Sequence, residues 1–254
     1  MFQLLDVETI SNMKIRVVSI CHNEARMMPF YLRHYSSFAD EIEIFDDESD
    51  DGTAKIIANS SAKLRKCPFK GLHDGLMIDL FESEQKRAAE DGIDWLIVPD
   101  IDEILFAKQG VRDVLESAQD YDIVFAMGWN MMADSFPVDD GRQIWEICRY
   151  GCFVLPYCKP IICNPKANNF KWSPGRHIIT GSPKFINSKI KLLHYRLLGT
   201  DHTDQTNLRN FQRRAIGYNS RFDGVPDGFP MSYKLLQENK HAAINAIEAE
   251  VEPI

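Results

Sequence analysis

The chain has 254 residues, and its 29 lysines and arginines against 37 aspartates and glutamates leave a formal net charge of −8 with histidines neutral. A content of 44% hydrophobic and 26% charged residues is that of a globular protein, which excludes disorder and fibrous repeats. The length is enough to build a core without disulfide or metal staples. An acidic balance with no dense Lys/Arg run argues against nucleic acid as a partner, and no apolar stretch approaches the ~20 residues that a membrane span requires. The opening Met1-Phe2-Gln3-Leu4-Leu5-Asp6 lacks a basic lead, and Asp6 and Glu8 interrupt any apolar core. No secretory leader is therefore expected, and the expectation is a cytoplasmic protein, with peripheral contact at the inner membrane face left open. Cys21, Cys67, Cys148, Cys152, Cys158 and Cys163 include no C-x-x-C pair, so reduced, mostly buried thiols are expected rather than a thiolate metal cluster.

Residues 15–20 (IRVVSI) read as a β-branched strand that ends in Cys21-His22-Asn23-Glu24. From 24 to 38, Met27, Met28, Tyr31, His34 and Tyr35 recur at three- and four-residue spacing, the stripe of an amphipathic helix. Residues 41–45 (EIEIF) alternate as a strand does and run into Asp46-Asp47-Glu48-Ser49-Asp50-Asp51-Gly52-Thr53, with a second helix expected over 53–64. Two successive β-loop-α units argue for a parallel sheet covered by helices. A third helix is expected over 76–90, closed by Gly92, and Trp95-Leu96-Ile97-Val98 is a buried strand leading into Pro99-Asp100-Ile101-Asp102-Glu103.

Residues 122–127 (DIVFAM) supply a further strand. Beyond Trp129 the alternation breaks into shorter runs, including 143–149 and a strand at 189–195. Residues 201–218 carry near-helical apolar spacing, and 232–251 read as a closing helix. No repeat or long linker divides the chain, so a single domain over 1–254 is expected.

Ligands of an open parallel sheet bind beyond the carboxyl ends of its strands, and the side chains expected there are acidic: Asn23 and Glu24, then Asp46 and Asp47, then Asp100, Asp102 and Glu103. Neither G-x-G-x-x-G nor G-x-x-x-x-G-K-[ST] occurs, which removes the usual dinucleotide and P-loop readings. Positions i and i+2 of an extended chain face one side, so Asp100 and Asp102 project together and need a cation beside them. Hard oxygen donors favour Mg²⁺ or Mn²⁺, ions that keep coordination positions for substrate phosphates. A lone D-x-D is a weak signal, most often a solvated turn. Its place after WLIV and two acid-tipped β-loop-α units selects the metal reading.

In order and spacing, Ser19-Ile20-Cys21-His22-Asn23-Glu24, the acidic run 46–53 and Asp100-Ile101-Asp102-Glu103 resemble the signatures of glycosyltransferase family 2. The D-x-D-E ending, Lys159-Pro160-Ile161-Ile162 and Leu193-His194-Tyr195 more loosely resemble the subgroup that includes family 92-type transferases. The resemblance implies the GT-A fold, a Rossmann-like, mostly parallel α/β sheet with helices on both faces. About 14–128 would form the nucleotide-sugar half, and about 129–254 the acceptor half with C-terminal helices.

It further implies a metal-dependent inverting transferase that moves a sugar from a UDP-type nucleotide sugar to a glycan or lipid-linked glycan hydroxyl. Asn23 and Glu24 would lie under the nucleotide, Asp46 or Asp47 would accept from base or ribose, Asp102 would bind the ion, and Asp100 would hold ribose or a metal-bound water. A third metal ligand would be His194, with His177, in the loop shared with Arg176, as ligand or acceptor contact. His22, His34, His73, His202 and His241 read as structural or surface residues. The basic pair such enzymes carry upstream of D-x-D has only an approximate counterpart here, Lys86-Arg87.

An inverting reaction needs a general base after the metal motif. Asp134, Asp139, Asp140 and Glu146 fall in that interval, with Asp134 ranked first for its place directly after the Trp129 segment. Trp129 and Trp172 are candidates for stacking on sugar faces, against a core role that tryptophan adopts more often. Residues 208–214 (LRNFQRR) read as a basic lid over the diphosphate, a lipid-touching helix or, favoured, an exposed helical face. Two rivals stay open: a non-catalytic nucleotide-sugar or glycan-binding protein on the same fold, and a sugar-nucleotide nucleotidyltransferase. The second should carry a glycine-rich basic loop after the first strand, which Cys21-His22-Asn23-Glu24 is not.

Overall fold

Strand β1 (Ile15–Cys21) is buried along nearly its whole length and pairs in parallel with β2 (Glu41–Asp46) on one side and β4 (Trp95–Ile97) on the other. A strand enclosed on both flanks and both faces favours apolar side chains and admits polar ones only when paired: in IRVVSIC, Arg16 is held by Glu41 and Asp91, and the Ser19 hydroxyl donates to the Pro99 carbonyl. The computed structural model describes residues 12–214 and 243–250. In the register of β1 and β2, Cys21 lies beside Asp46, which brings the loops after both strands to one edge.

Helix α1 (Met28–Tyr35) crosses back over the sheet with a proline in its first turn, where the missing N–H costs nothing. Its Tyr35 hydroxyl donates to the Glu103 carbonyl at 2.9 Å, tying the helix to the chain beyond β4. Helix α2 is shorter than the spacing predicts. It covers Thr53–Ala58, and Lys63–Lys66 forms an edge strand, β3, parallel to β2. The KLRK run extends there because Lys63 and Arg65 both reach the buried Glu43 carboxylate of β2. Helix α3 (Asp74–Glu90) matches its expectation closely and buries Leu80, Phe81 and Ala88 against the sheet.

Beyond β4 the chain turns through the acidic loop into β5 (Glu103–Phe106), helix α4 (Val111–Glu116) and β6 (Ile123–Ala133). β6 runs past the expected 122–127 segment because it is flanked by sheet for its whole length. β8 (Lys159–Cys163), β7 (Tyr150–Phe153) and β11 (Phe185–Leu198) all pair with it. A short helix α5 (Ile144–Ile147) precedes β7, and the hairpin β9 (Phe170–Trp172) and β10 (Ile179–Gly181) stands apart from the main sheet.

One sheet thus runs through both halves of the described chain. It is parallel across β3-β2-β1-β4 and between β6 and β11, and antiparallel where β8, β7 and β5 join. The fold is α/β and Rossmann-like in its first half, as expected, with antiparallel pairing added from β5 onward. Gly128 in β6 is required by close approach: a Cβ there would lie 2.3 Å from the Tyr157 backbone, in the 3-10 turn Leu155–Tyr157.

Helix α6 (Thr200–Arg213) follows β11. The expected closing helix at 232–251 is corrected in its described part, because Ile244–Asn245 forms a short strand, β12, antiparallel to β7, followed by turns. The remainder of that span, with His241 and the end of the 201–218 helix, lies outside the described residues. Lys191 explains why 246–249 turns here. Its buried ammonium donates to the carbonyls of Ala246, Ile247 and Ala249, a convergence that a continuing helix would forbid. Lys191→Met should lower the unfolding free energy by roughly 3 kcal/mol in urea titration, since it leaves buried carbonyls without a donor.

Candidate functional site

The loops after β1 and β2 are laced to each other. Asn23, in the left-handed region at φ 54°, exchanges two hydrogen bonds with Asp50, at 2.8 and 2.9 Å. Thr53 Oγ1 accepts from the Glu24 amide at 2.8 Å, and Asp51 accepts from the Ala25 amide at 2.9 Å and from Thr53. Asp46 receives the Ser49 amide at 3.2 Å and the Cys21 thiol at 3.4 Å, so it stabilises its own turn. The acidic run is thereby explained without a ligand: Asp46 and Asp51 satisfy backbone donors that the tight turns leave over, and Asp50 accepts from the Asn23 side-chain amide.

Two carboxylates of this edge are held differently. Asp47 is buried and accepts from the Gly71 amide at 2.7 Å and from the Arg213 guanidinium. Glu24 pairs with Arg209, which also donates to the Asn23 carbonyl. Burial, helped by the charge of Asp102 and opposed by Arg209, pushes the Glu24 carboxyl up to about 8.

The loop between β4 and β5 carries a second charge cluster. Arg176 donates to one Asp100 oxygen and Lys159 to the other, the latter at 3.2 Å. Lys159 also donates to the buried Glu103, whose second oxygen receives the Asp100 amide at 3.0 Å. Lys159, Arg176 and Glu103 have side chains only 6%, 4% and 1% exposed, against 42% for Asp100. Burial would push the Asp100 carboxyl up, but the two cations overcome it and hold it far below the carboxylate range. Arg176 also stacks on the Phe81 ring of α3 at 4.7 Å, and its backbone is in the left-handed region at φ 56°.

Asp102 takes another partner. His194 of β11 stands opposite both Glu103 and Asn130 in the sheet register. Its Nε2 lies 3.3 Å from Asp102 Oδ2, and its Nδ1 lies 3.1 Å from the buried Asn130 Oδ1. Burial would raise the Asp102 carboxyl, yet the adjacent imidazole outweighs it and holds the group at about 2. The Tyr157 ring packs between two imidazoles, 5.1 Å from His194 and 6.0 Å from His177. Burial and the neighbouring Lys159 lower His177 to about 4.

The structure therefore gathers Asp100, Asp102, His194, Arg176 and His177 around one loop, and Asn23, Glu24, Asp46 and Asp47 around the adjacent one. Other candidates lie elsewhere. Glu146 is exposed and caps its own short helix through the Gln143 amide at 2.8 Å. Asp134 is exposed where β6 ends, beside the start of α6, roughly 13 Å along the strand from Asn130. Trp129 is buried between the Phe153 ring and the Lys191 ammonium, and Trp172 is buried with its indole N–H on the Pro160 carbonyl at 2.9 Å. Both tryptophans are core residues, not stacking platforms. Lys86 is exposed, and Arg87 is engaged by Glu43 and Glu84, so that pair does not serve a diphosphate.

Lys159 and Asn130 lie in this cluster although the sequence offered them no partner there, and Arg209 and Arg213, for which a lid over the diphosphate is one of three readings, pair with its carboxylates. For Lys159 the local signal was a lysine opening the apolar run KPIIC, because a buried cation requires a buried anion.

Among the described residues no three His, Cys, Asp or Glu side chains are arranged to hold a metal ion, and the six cysteines are reduced thiols, five of them buried. With both oxygens on cations, Asp100 does not fit as a ligand. Asp102 and His194 do fit. Asn130 on Nδ1 turns Nε2 toward Asp102, the outer support a ligating imidazole characteristically has. Two protein donors suit an ion that takes its other positions from water and phosphate.

No protein-family model matches the chain, and no curated protein matches it. Solved structures similar to it include mannosyl-3-phosphoglycerate synthase from Rubrobacter xylanophilus, 17% identical over 50% of this chain and 43% of that one, with a TM-score of 0.33. The bifunctional IspDF from Campylobacter jejuni is 11% identical over 72% of this chain and 52% of that one, at 0.38. Mannose-1-phosphate geranyltransferase from Thermus thermophilus is 11% identical over 92% and 66%, at 0.34. The chain spans less than half the length of the first of these and about half that of the second.

Two outcomes test the charge arrangement. Lys159→Met strands the buried Glu103 and should cost roughly 3–5 kcal/mol in chemical denaturation, with a smaller loss for Asn at the more exposed Asp100. Glu24 binds its proton more tightly folded, at about 8 against 4.5. Its contribution to stability is complete below the lower value and lost as pH rises through the higher one. Glu24→Gln should flatten the decline in melting temperature between about pH 5 and 8 that the unsubstituted protein shows.

Proposed function

We propose that the chain is a metal-dependent inverting glycosyltransferase, taking a sugar from a nucleoside diphosphate donor of the UDP type to a hydroxyl of a glycan or lipid-linked glycan. The observation that carries this reading is the Asp102–His194–Asn130 row, set at the carboxyl edge of the sheet beside an Asp100 already neutralised from within. Asp102 and His194 would hold Mn²⁺ or Mg²⁺. When bound, the ion supplies Lewis-acid stabilisation of the departing diphosphate.

The chain's own groups complete the arrangement. Asp47 and Glu24 present acceptor oxygens at the nucleotide edge, suited to ribose hydroxyls or a base N–H. Asp100, pinned by Lys159 and Arg176, offers a fixed acceptor to the same ribose with no reorganisation when charge develops nearby. His177 and Tyr157 flank the loop where an acceptor would approach. Asp134, beyond the end of β6, is the proposed base. No helix among the described residues is long and apolar enough to cross a membrane.

A non-catalytic nucleotide-sugar binder is the second reading, favoured by one fact: Glu24, Asp47 and Asp100 all have cationic partners within the chain. The two separate experimentally. With a panel of nucleotide sugars and Mn²⁺, the protein should release nucleoside diphosphate. Asp102→Ala should reduce that release at least about 100-fold, with a modest fall in melting temperature from the lost His194 contact and the fold retained. Binding without release would select the second reading, and neither binding nor release would refute both.

A further inference from the structure

Resting on the proposed donor chemistry, we infer that Arg209 and Arg213 of α6 are the diphosphate-binding side chains, each exchanging a carboxylate oxygen at the nucleotide edge for a phosphate oxygen. A departing diphosphate requires cations close to the nucleotide carboxylates, and the charges of the site narrow the choice. Lys159 and Arg176 are committed to a buried cluster with Asp100 and Glu103. Arg87 is held by Glu43 and Glu84. Arg209 and Arg213 reach Glu24 and Asp47 directly, and at 19% and 17% exposure they retain a face toward solvent.

Their spacing suits the task. Residues four apart on a helix lie on one face, roughly 6 Å apart along the axis, so the two guanidiniums can straddle a diphosphate. Each presents five planar donors matched to paired phosphate oxygens. Arg209 uses its two terminal nitrogens on the Asn23 carbonyl and on Glu24, while its Nε is buried with no hydrogen-bond partner. An orphaned donor on a buried cation is costly, and a phosphate oxygen would satisfy it.

The helix is anchored where the exchange takes place. The Leu72 amide donates to the Arg213 carbonyl at 2.8 Å, and Gly71, at φ 76°, leaves no room for a Cβ, which would lie 2.6 Å from the same oxygen. The backbone of α6 is thus seated against the loop after β3, and exchange requires rotation of two side chains rather than movement of the helix. The favoured expectation for 208–214, an exposed helical face, holds for Leu208 and Phe211 but not for the arginine face.

The test is titration calorimetry of the full chain and of Arg209→Gln, Arg213→Gln and the double variant. The ligands are uridine and the other common nucleosides, their diphosphates and inorganic pyrophosphate, each with and without Mn²⁺. Arg209→Lys and Arg213→Lys serve in parallel should the neutral variants fold poorly. Each neutral substitution should weaken diphosphate and pyrophosphate binding about tenfold and leave nucleoside binding unchanged. Lysine should restore part of the loss, and the salt dependence of diphosphate binding should fall.

Equal loss of nucleoside and diphosphate would reduce the arginines to a structural latch and overturn the inference, as would undiminished diphosphate binding in the double variant. Arginine-dependent pyrophosphate binding with no nucleotide bound would support the inference while refuting the donor assignment. No binding of any ligand would end both.

Discussion

Too much negative charge converges on one edge of the sheet, and the rest of the site follows from how the chain neutralises it. Parallel strands deliver their following loops to a common side, so Glu24, Asp47 and Asp100 arrive together with Asp102 and Glu103. Carboxylates gathered beside a low-dielectric core repel one another and lose solvation, at a cost that no hydrophobic contact nearby can offset. The second half of the chain supplies the remedy: Lys159 from β8 meets both Asp100 and Glu103, while Arg176 from the turn before β10, His194 from β11, and Arg209 and Arg213 from α6 each meet one of these acids. The two halves are therefore electrostatically complementary as well as joined by one sheet.

This division explains what could be read from the sequence. The acids were legible because their placement is local: each follows an apolar run, and a strand followed by a loop defines where its first polar residues go. Their partners were not. Asp100 and Arg176 are 76 residues apart, and Glu24 and Arg209 are 185 apart, so no periodicity within an element records the pairing. Reading two adjacent aspartates as needing a cation between them was sound in charge. The omission was that the chain could itself provide the cations for the first.

The elements show the same limit. The first two strands and α3 carry their own pattern, alternation or continuous burial in the strands and a 3.6-residue stripe in the helix, and they form as expected. β6 and β11 were underestimated in length because strands flanked by neighbours on both sides are selected by burial and not by alternation. The start of KLRK was absorbed into the helix expected over 53–64, because the run's reason for being extended, the buried Glu43 of the neighbouring strand, lies outside it. At the other end of the chain, the turn at 246–249 is organised by Lys191, more than fifty positions earlier. In each case a non-local partner overrode local propensity.

The asymmetry between the two aspartates of D-x-D carries the chemistry further. Asp100 faces guanidinium and ammonium groups that cannot lose their charge at neutral pH, so its own charge is compensated permanently. Asp102 faces an imidazole, the one common side chain that can either donate a proton to a carboxylate or turn a lone pair toward a metal ion. Asn130 fixes which nitrogen faces the carboxylate without itself carrying charge. Of the two positions, only Asp102 can exchange its protein cation for another without leaving a permanent charge behind. An ion entering there would displace at most a proton from His194, whereas one entering at Asp100 would have to expel Lys159 or Arg176 from a buried cluster. At the adjacent loops the comparison runs the other way, because releasing Arg213 would strand Asp47, whose side chain is only 4% exposed, and that carboxylate needs a replacement donor.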